Sequence, residues 1–228
     1  WSSDVCSSDL AMEAAALGII EPVFVGPVGK ISEAAAAGGV DLSGREVRDV
    51  PHSHAAAETA VAMALAGEVD ALMKGSLHTD ELMGAVVARE TGIRTARRIS
   101  HCFVMDVPGH EEALIISDAA VNIAPTLEEK VDIVQNAIDL AHALAMTDVR
   151  VAILSAMETV NPHVPSTIEA AALCKMADRK QITGAIVDGP FALDNAISTE
   201  AAKIKKIDSR VAGRANVLLV PDLEAGNM

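Results

Sequence analysis

The chain has 228 residues, of which 50% are hydrophobic and 22% charged, enough to bury one large core or two small ones. A net charge of -14 and an aromatic content of 2% argue against a nucleic acid partner, because a polyanion is repelled and stacking platforms are scarce. No apolar run reaches the roughly 18 residues of a membrane span, and Cys6, Cys102 and Cys174 show no metal-type spacing, which favours a reduced, cytoplasmic chain.

The first ten residues differ in character from the rest. Residues 1–10 repeat themselves, with SSDVC followed by SSDL, and nothing downstream resembles them. They have neither the basic nor the apolar region of a signal peptide. We interpret residues 1–10 as a non-native scar and exclude them from the fold prediction.

From Met12 onward, short β-branched runs alternate with Ala-rich helical patterns. Strands are predicted at residues 21–26, 69–73, 102–105, 113–116, 149–154, 184–187 and 217–220. Helices are predicted from a Ser53 cap to about residue 66, over 79–90, from a Thr126/Glu129 capping box, and from a Ser166/Glu169 capping box to about residue 177. This alternation is typical of βαβ units with a mostly parallel sheet.

The chain is predicted to form two α/β lobes, with a boundary near Pro125. Residues 11–126 would form the first lobe, residues 127–228 the second, and the long helix after Thr126 would bridge them. The chain stops just after a strand and a loop, without the helix that would cover that strand. We therefore expect the second lobe to be truncated at its C-terminus and the first to lack its initial strand.

The first candidate site follows the predicted strand 69–73. Lys74, Gly75, Ser76 and Thr79 lie between that strand and a helix, where glycine allows close backbone approach and free N–H groups attract an anion. The order of residues is not that of a Walker loop. The alternative is an ordinary capped turn between strand and helix.

The second candidate site is an arginine cluster. Arg94, Arg97 and Arg98 fall in an acid-free stretch, residues 91–105, of an otherwise acidic chain. Guanidinium groups suit phosphate oxygens because their donors form a planar fork. The sequence favours an anion site over a solvated surface patch.

Acidic and amide side chains form the third candidate site. It contains Asp188, Asp194, Asn195, Asp222 and Asn227, each downstream of a predicted strand. Their spacing fits no compact metal motif. Of the histidines, His52 and His54 suggest a cap region, whereas His78 and His101 are better functional candidates than His142.

Five separated motifs resemble the phosphate acetyl/butyryltransferase family. They are MKGSLHT (73–79), MDVPG (105–109), ISDAAVNIAPT (116–126), DGPFALDNA (188–196) and VPDLEAGN (220–227). The resemblance runs from about Ala11 to Met228. The Lys-Gly and Asp-Asn-Ala-Ile forms are similar to the butyryltransferase branch and to acetyltransferase domains fused behind an enoyl-CoA hydratase.

The resemblance implies two α/β/α lobes with mostly parallel sheets and a cleft between them, usually in a homodimer. It implies the reaction acyl-CoA + phosphate = acyl phosphate + CoA, with coenzyme A as a substrate and no metal or other cofactor. It carries over Lys74, Gly75, Ser76 and Thr79 as the first-lobe loop. In the second lobe it carries over the five acidic and amide residues of the third site. The three arginines are a physical inference rather than a motif match.

Two features depart from the family pattern. Stand-alone acetyltransferases carry an arginine in the helix after the Lys/Ser-Gly loop, where this chain has Met83, Gly84 and Ala85, which weakens acetyl as the acyl group. Family members also continue past the Ala-Gly-Asn motif into a segment assigned to catalysis. The catalytic residues are therefore expected in that segment, none is assigned here, and chain 1–228 alone is expected to show little activity.

Two alternatives stay open. A metal-dependent decarboxylating dehydrogenase of similar fold would need clustered aspartates and a nucleotide-binding loop. A non-catalytic acyl-CoA-binding module would need neither a base for the thiol nor a leaving-group donor. Turnover separates the enzyme from the binding module.

Overall fold

A computed structural model describes residues 3–109 and 112–228, with the backbone alone for residues 3–8. The chain divides into two units, Trp1–Ala96 and Arg97–Met228. The division lies before the boundary predicted near Pro125. The helix predicted to bridge two lobes therefore lies inside the second unit.

The first unit contains four helices and a small sheet in its described part. Its elements are α1 (Ser3–Ala16), β1 (Val23–Gly26), α2 (Val28–Gly38), β2 (Glu46–Asp49), α3 (Ser53–Ala66) and α4 (Thr79–Val86). β1 and β2 pair in parallel. Small side chains dominate its buried positions, such as Ala35, Ala57 and Val61. Residues 3–10 of the predicted scar begin α1, and residues 1–2 lie outside the described part.

Three expectations for the first unit are wrong. Residues 69–73 form no strand, because the described sheet of this unit has two strands and neither pairs with this segment, which leaves Met73 57% exposed. The helix predicted over 79–90 ends at Val86, where the carbonyl of that residue accepts from the Ile93 amide. The cap of α3 is His52, whose Nδ1 accepts from the Ala55 amide, rather than Ser53.

The second unit is a three-layer α/β/α arrangement. Its elements are β3 (Cys102–Met105), β4 (Leu114–Ser117), α5 (Leu127–Ala143), β5 (Arg150–Leu154), α6 (Pro165–Asp178), β6 (Ile186–Phe191), α7 (Leu193–Ile197), α8 (Thr199–Ile204), β7 (Val217–Leu219) and α9 (Leu223–Asn227). The strand order is β3-β4-β7-β5-β6. β3 is antiparallel to β4, and the other pairs are parallel. The prediction of a mostly parallel sheet is confirmed.

Alternating residues of the central strands separate two buried clusters. On β7, Val217 and Leu219 pack in the cluster that contains α5 and α6 residues, whereas Leu218 packs in the cluster that contains Phe191 and Ala202. Successive side chains of a strand point to opposite faces. Burial on both faces explains why this strand is a continuous apolar run.

One of the two predicted capping boxes is confirmed. Thr126 and Glu129 cap α5 reciprocally, with the Thr126 amide donating to Glu129 Oε2 at 2.8 Å. The Ser166/Glu169 box is wrong, because α6 begins at Pro165, which makes Ser166 the second residue of the helix and not its cap. Ser166 Oγ instead lies 2.8 Å from Ser155 Oγ. No helix among residues 3–109 and 112–228 is long and apolar enough to cross a bilayer.

Candidate functional site

The carboxyl ends of the parallel strands bring most second-unit candidates to one edge of the sheet. Ser117 ends β4, Leu219 ends β7, Leu154 ends β5 and Phe191 ends β6. Ligands of open parallel sheets bind at this edge, where loops lead into helices. We refer to it as the carboxyl edge.

Asp118 organises the loop that follows β4. It is 2% exposed. Its Oδ1 accepts from the amides of Ala120 and Val121, each at 2.9 Å, and its Oδ2 accepts from the amide of Asn122 at 3.2 Å and from the Asn122 side chain. Several donors on one carboxylate fix the loop, because removing the acceptor would leave them unpaired. The motif at 116–126 contained Asp118, but the sequence analysis did not select it.

Asn122 and Glu129 hold Arg98 next to this loop. Asn122 Nδ2 donates to the Ile99 carbonyl at 3.0 Å, and Arg98 Nε donates to Asn122 Oδ1. Arg98 Nη1 lies 2.7 Å from Glu129 Oε1, and the Arg98 amide donates to Asp132 at 2.9 Å. The hydrogen bond from the Thr126 amide, followed by the charge of Arg98, lowers the pKa of Glu129. Arg98 is therefore a cation with an internal carboxylate partner.

The three predicted arginines are divided between the two units. Arg94 belongs to the first unit, whereas Arg97 and Arg98 belong to the second. Arg97 pairs with Asp139 and donates to Asn136 at 3.3 Å. Both partners lie on α5, so this arginine fastens the segment before β3 to that helix.

Asp222 and Asn227 secure the short helix α9 beside the Asp118 loop. Asp222 Oδ1 accepts from the Ala225 amide at 2.9 Å, and Asn227 Nδ2 donates to the Ala119 carbonyl at 3.1 Å. A Cβ on Gly226 would lie 2.8 Å from the Asp118 carbonyl. The motif at 220–227 thus packs against the motif at 116–126 and donates a hydrogen bond to it.

Asp188 lies within β6, whereas the sequence analysis placed it after that strand. Its Oδ1 accepts from the Gly189 amide at 2.9 Å and its Oδ2 accepts from the Ser209 hydroxyl. Ser209 Oγ in turn accepts from the amides of Val211 and Ala212. The carboxylate therefore holds the segment after α8 against the sheet.

Asp194 and Asn195 join a cluster that the sequence analysis missed. Asn195 is fully buried, and its Nδ2 donates to Glu158 Oε1. Lys205 Nζ lies 2.6 Å from the same oxygen and 3.5 Å from Asp194. The Lys205 hydrogen bond lowers the pKa of Glu158. Glu158 and Lys205 are separated by 47 positions in the sequence, so no local motif links them.

The first-unit loop combines contacts close in sequence with a link to α3 through Glu81, whose Oε1 accepts from the Ser53 hydroxyl at 2.6 Å. Lys74 Nζ donates to the Gly75 carbonyl at 3.2 Å, and Ser76 and Thr79 are exposed. The His78 amide donates to Glu81 Oε2 at 2.8 Å, which begins α4 with a carboxylate cap. These residues lie before a helix as predicted, but after an irregular segment instead of a strand.

The thiols of Cys102 and Cys174 are partly buried and unpaired in a disulfide. Burial raises the pKa of Cys174 to about 12 and raises that of Cys102 as well, so both thiols are neutral near pH 7. Within the described residues, no group of three or more His, Cys, Asp or Glu side chains could hold a metal ion. His52 caps α3, and His54 lies 3.3 Å from Glu81, which confirms the prediction of a cap-region pair.

Comparison with known proteins now identifies the family. The protein-family model described as "Phosphate acetyl/butaryl transferase" matches residues 51–228. This chain belongs to that family. The phosphate acetyltransferase of Rhizobium meliloti is 63% identical over 96% of the chain and 69% of its own length. The phosphate butyryltransferase of Clostridium beijerinckii is 42% identical over 95% of the chain and 72% of its own length.

Coverage and fold agree with this membership. The phosphate acetyltransferase of Rickettsia felis is 58% identical, and the chain spans 63% of its length. A branched-chain phosphotransacylase from Enterococcus faecalis is similar with a TM-score of 0.74 and 26% identity, over 90% of this chain and 80% of that one. The α/β fold with mostly parallel sheets is confirmed by this likeness.

Proposed function

We propose that the protein moves a short acyl group between coenzyme A and inorganic phosphate, in the reaction acyl-CoA + phosphate = acyl phosphate + CoA. Membership of the family, with relatives named for both acetyl and butyryl transfer, is the observation that carries the proposal. Four relatives named for acetyl transfer are 56–63% identical and a fifth is 42% identical, whereas three relatives named for butyryl transfer are 40–50% identical. Acetyl is therefore proposed as the preferred acyl group and butyryl as the second candidate.

The chemistry requires cations for the substrates and a proton acceptor for the thiol. A phosphate oxygen attacks the thioester carbonyl, the C–S bond breaks, and the CoA thiolate leaves and takes up a proton; the reverse reaction needs a base for the CoA thiol. Arg98 supplies a cation at the carboxyl edge, and Lys74 supplies one before α4. Backbone N–H groups at Gly75, Ser76 and Thr79 suit an anion at that second place.

Coenzyme A is a substrate in this proposal, and no metal or other cofactor takes part. The resemblance supports a homodimer, and the unpaired Cys102 and Cys174 thiols suit a reducing compartment such as the cytoplasm. A metal-dependent dehydrogenase would need a carboxylate cluster, and the described ranges 3–109 and 112–228 contain none large enough. The transferase therefore has more support than the dehydrogenase.

Phosphate-dependent release of CoA tests the proposal. A chain extended past Met228 by the segment expected to carry the catalytic residues is mixed with acetyl-CoA or butyryl-CoA, with and without phosphate, and free thiol and acyl phosphate are measured together. The transferase releases equal amounts of both products, only with phosphate, and a chelator changes neither rate. Activity that disappears with chelator and returns with a divalent cation would support the dehydrogenase. Binding of CoA without any turnover would support the binding module.

A further inference from the structure

A surface pocket lies beside the Asp118 loop in the second unit. Its volume is about 290 Å³, and it is lined by Arg98, Glu129 and the loop residues Val121, Asn122, Ile123, Ala124 and Pro125. Its lining combines the charged Arg98 and Glu129 with apolar side chains of the loop. Ile123 is 75% exposed there, although it is large and apolar.

Arg98 is held firmly in this pocket and still faces solvent. Its Nε donates to Asn122, and its amide donates to Asp132, so both the side chain and the backbone are fixed. The side chain is nevertheless 49% exposed. A fixed, half-exposed guanidinium retains donors that can reach an incoming anion, and it loses little freedom when it binds one.

Glu129 is an anion that already occupies this pocket. Its Oε1 pairs with Arg98 at 2.7 Å, while its Oε2 accepts from the Thr126 amide at 2.8 Å. One oxygen of the carboxylate thus pairs with Arg98, and the other caps α5. A glutamine would keep the capping function, because glutamine also completes a capping box, but it would give up the charge facing Arg98.

We propose that this pocket binds a phosphoryl group on Arg98, and that Glu129 is the internal carboxylate with which that group competes. The inference rests on the proposed function, which supplies two sources of this chemistry, inorganic phosphate and the phosphates of coenzyme A. Exposed ion pairs are weak, so an incoming phosphoryl group displaces Glu129 at small cost. The apolar side chains of the lining suit a ligand that is part phosphate and part hydrocarbon, as coenzyme A is.

Titration calorimetry of chain 1–228 with orthophosphate, and separately with coenzyme A, tests the proposal. Glu129→Gln is expected to strengthen binding by about two- to five-fold, the range that an exposed ion pair can contribute. Glu128→Gln is the matched control, because it removes the same charge from the exposed neighbour on the same helix. It is expected to change the affinity less than Glu129→Gln does. The probe that responds identifies the source of the phosphoryl group.

Arg98→Ala is expected to weaken the same binding by about ten-fold or more, as loss of a charge-assisted hydrogen bond does. Arg98→Lys keeps the charge without the planar fork, so its loss of affinity is expected to be smaller than that of Arg98→Ala. The lysine variant still tests the proposal if the alanine variant fails to fold. Equal effects of Glu129→Gln and Glu128→Gln would overturn the proposal. Coenzyme A binding that none of the variants alters would also overturn it, while leaving the proposed function standing. If neither orthophosphate nor coenzyme A binds, that result would contradict both this proposal and the proposed function.

Discussion

Two loops of this chain precede helices and carry polar motifs, but they are built differently. In the first-unit loop at residues 74–79, Lys74 donates to the Gly75 carbonyl, and the His78 amide donates to Glu81, which also accepts from Ser53 on α3. The second-unit loop at 117–126 is wrapped around buried Asp118 and contacts α9, which lies about a hundred positions away. The second loop is organised by a buried carboxylate within it, whereas the first is capped by Glu81, which lies outside the loop and links α4 to α3.

The difference follows from what lies beneath each loop. The second unit has a five-stranded sheet with buried clusters on both faces, so its carboxyl edge has a fixed position. The described part of the first unit has a two-stranded sheet and small buried side chains. A polar side chain that binds across a fixed edge is ordered before a ligand arrives, and this preorganisation lowers the cost of binding.

Asp118→Ala is expected to have the largest effect on stability. It leaves three backbone donors, at Ala120, Val121 and buried Asn122, without an acceptor, which should reduce the free energy of unfolding of the second unit by about 3 kcal/mol. The matched substitution Asp80→Ala removes an exposed carboxylate from the first turn of α4 and should cost less than about 1 kcal/mol. Urea denaturation followed by circular dichroism measures both. Similar losses would contradict the contrast between the loops.

Glu169→Ala is the next largest. The side chain of Lys130 on α5 is 6% exposed and pairs with Glu169 on α6. The substitution therefore leaves a buried ammonium group without its carboxylate partner. We expect a loss of about 2–3 kcal/mol, below the range for a fully buried pair because Glu169 is 29% exposed. The double variant Lys130→Met/Glu169→Leu should recover most of it. A double variant no more stable than the single one would show that packing, and not charge, explains the loss.

Alanine at two glycines should act in opposite directions. Gly226→Ala would place a Cβ 2.8 Å from both the Asp118 carbonyl and Val220 Cγ2, so it should destabilise the second unit by about 1–3 kcal/mol. Gly84 lies in α4 with nothing within 4 Å of an added Cβ, so Gly84→Ala should stabilise the first unit by about 0.5–1 kcal/mol. Thermal unfolding of each variant measures the sign. Stabilisation by Gly226→Ala would contradict close packing at α9, and destabilisation by Gly84→Ala would contradict open space at α4.

Arg97→Ala should have the smallest effect. Its partner Asp139 is 50% exposed, and exposed ion pairs contribute at most about 1 kcal/mol. The sequence predicts a roughly ten-fold rise in the Michaelis constant for phosphate or CoA if Arg97 contacts substrate. The ion pair with α5 instead favours a change below two-fold. Steady-state kinetics of an active form of the enzyme decides between these outcomes.

Much of the second unit is predictable from its sequence because its signals are local. The capping box of α5 lies within four residues, and the apolar run at 217–220 indicates a strand buried on both faces. The strand predicted at 69–73 fails because pairing depends on a neighbour, which a local apolar pattern does not report. The Glu158–Asn195–Lys205 cluster was missed for the same reason, since its members meet only after β5 and β6 have paired.

Hydrogen exchange of the ligand-free chain tests the contrast between the loops most directly. The amides of Val121 and Asn122 donate to buried Asp118, so they should exchange at least about ten-fold more slowly than those of Gly75 and Ser76. Amide-resolved exchange followed by NMR measures all four in one sample. Protection at Val121 and Asn122 without substrate would support a preformed carboxyl edge. Equal exchange in the two loops would contradict it.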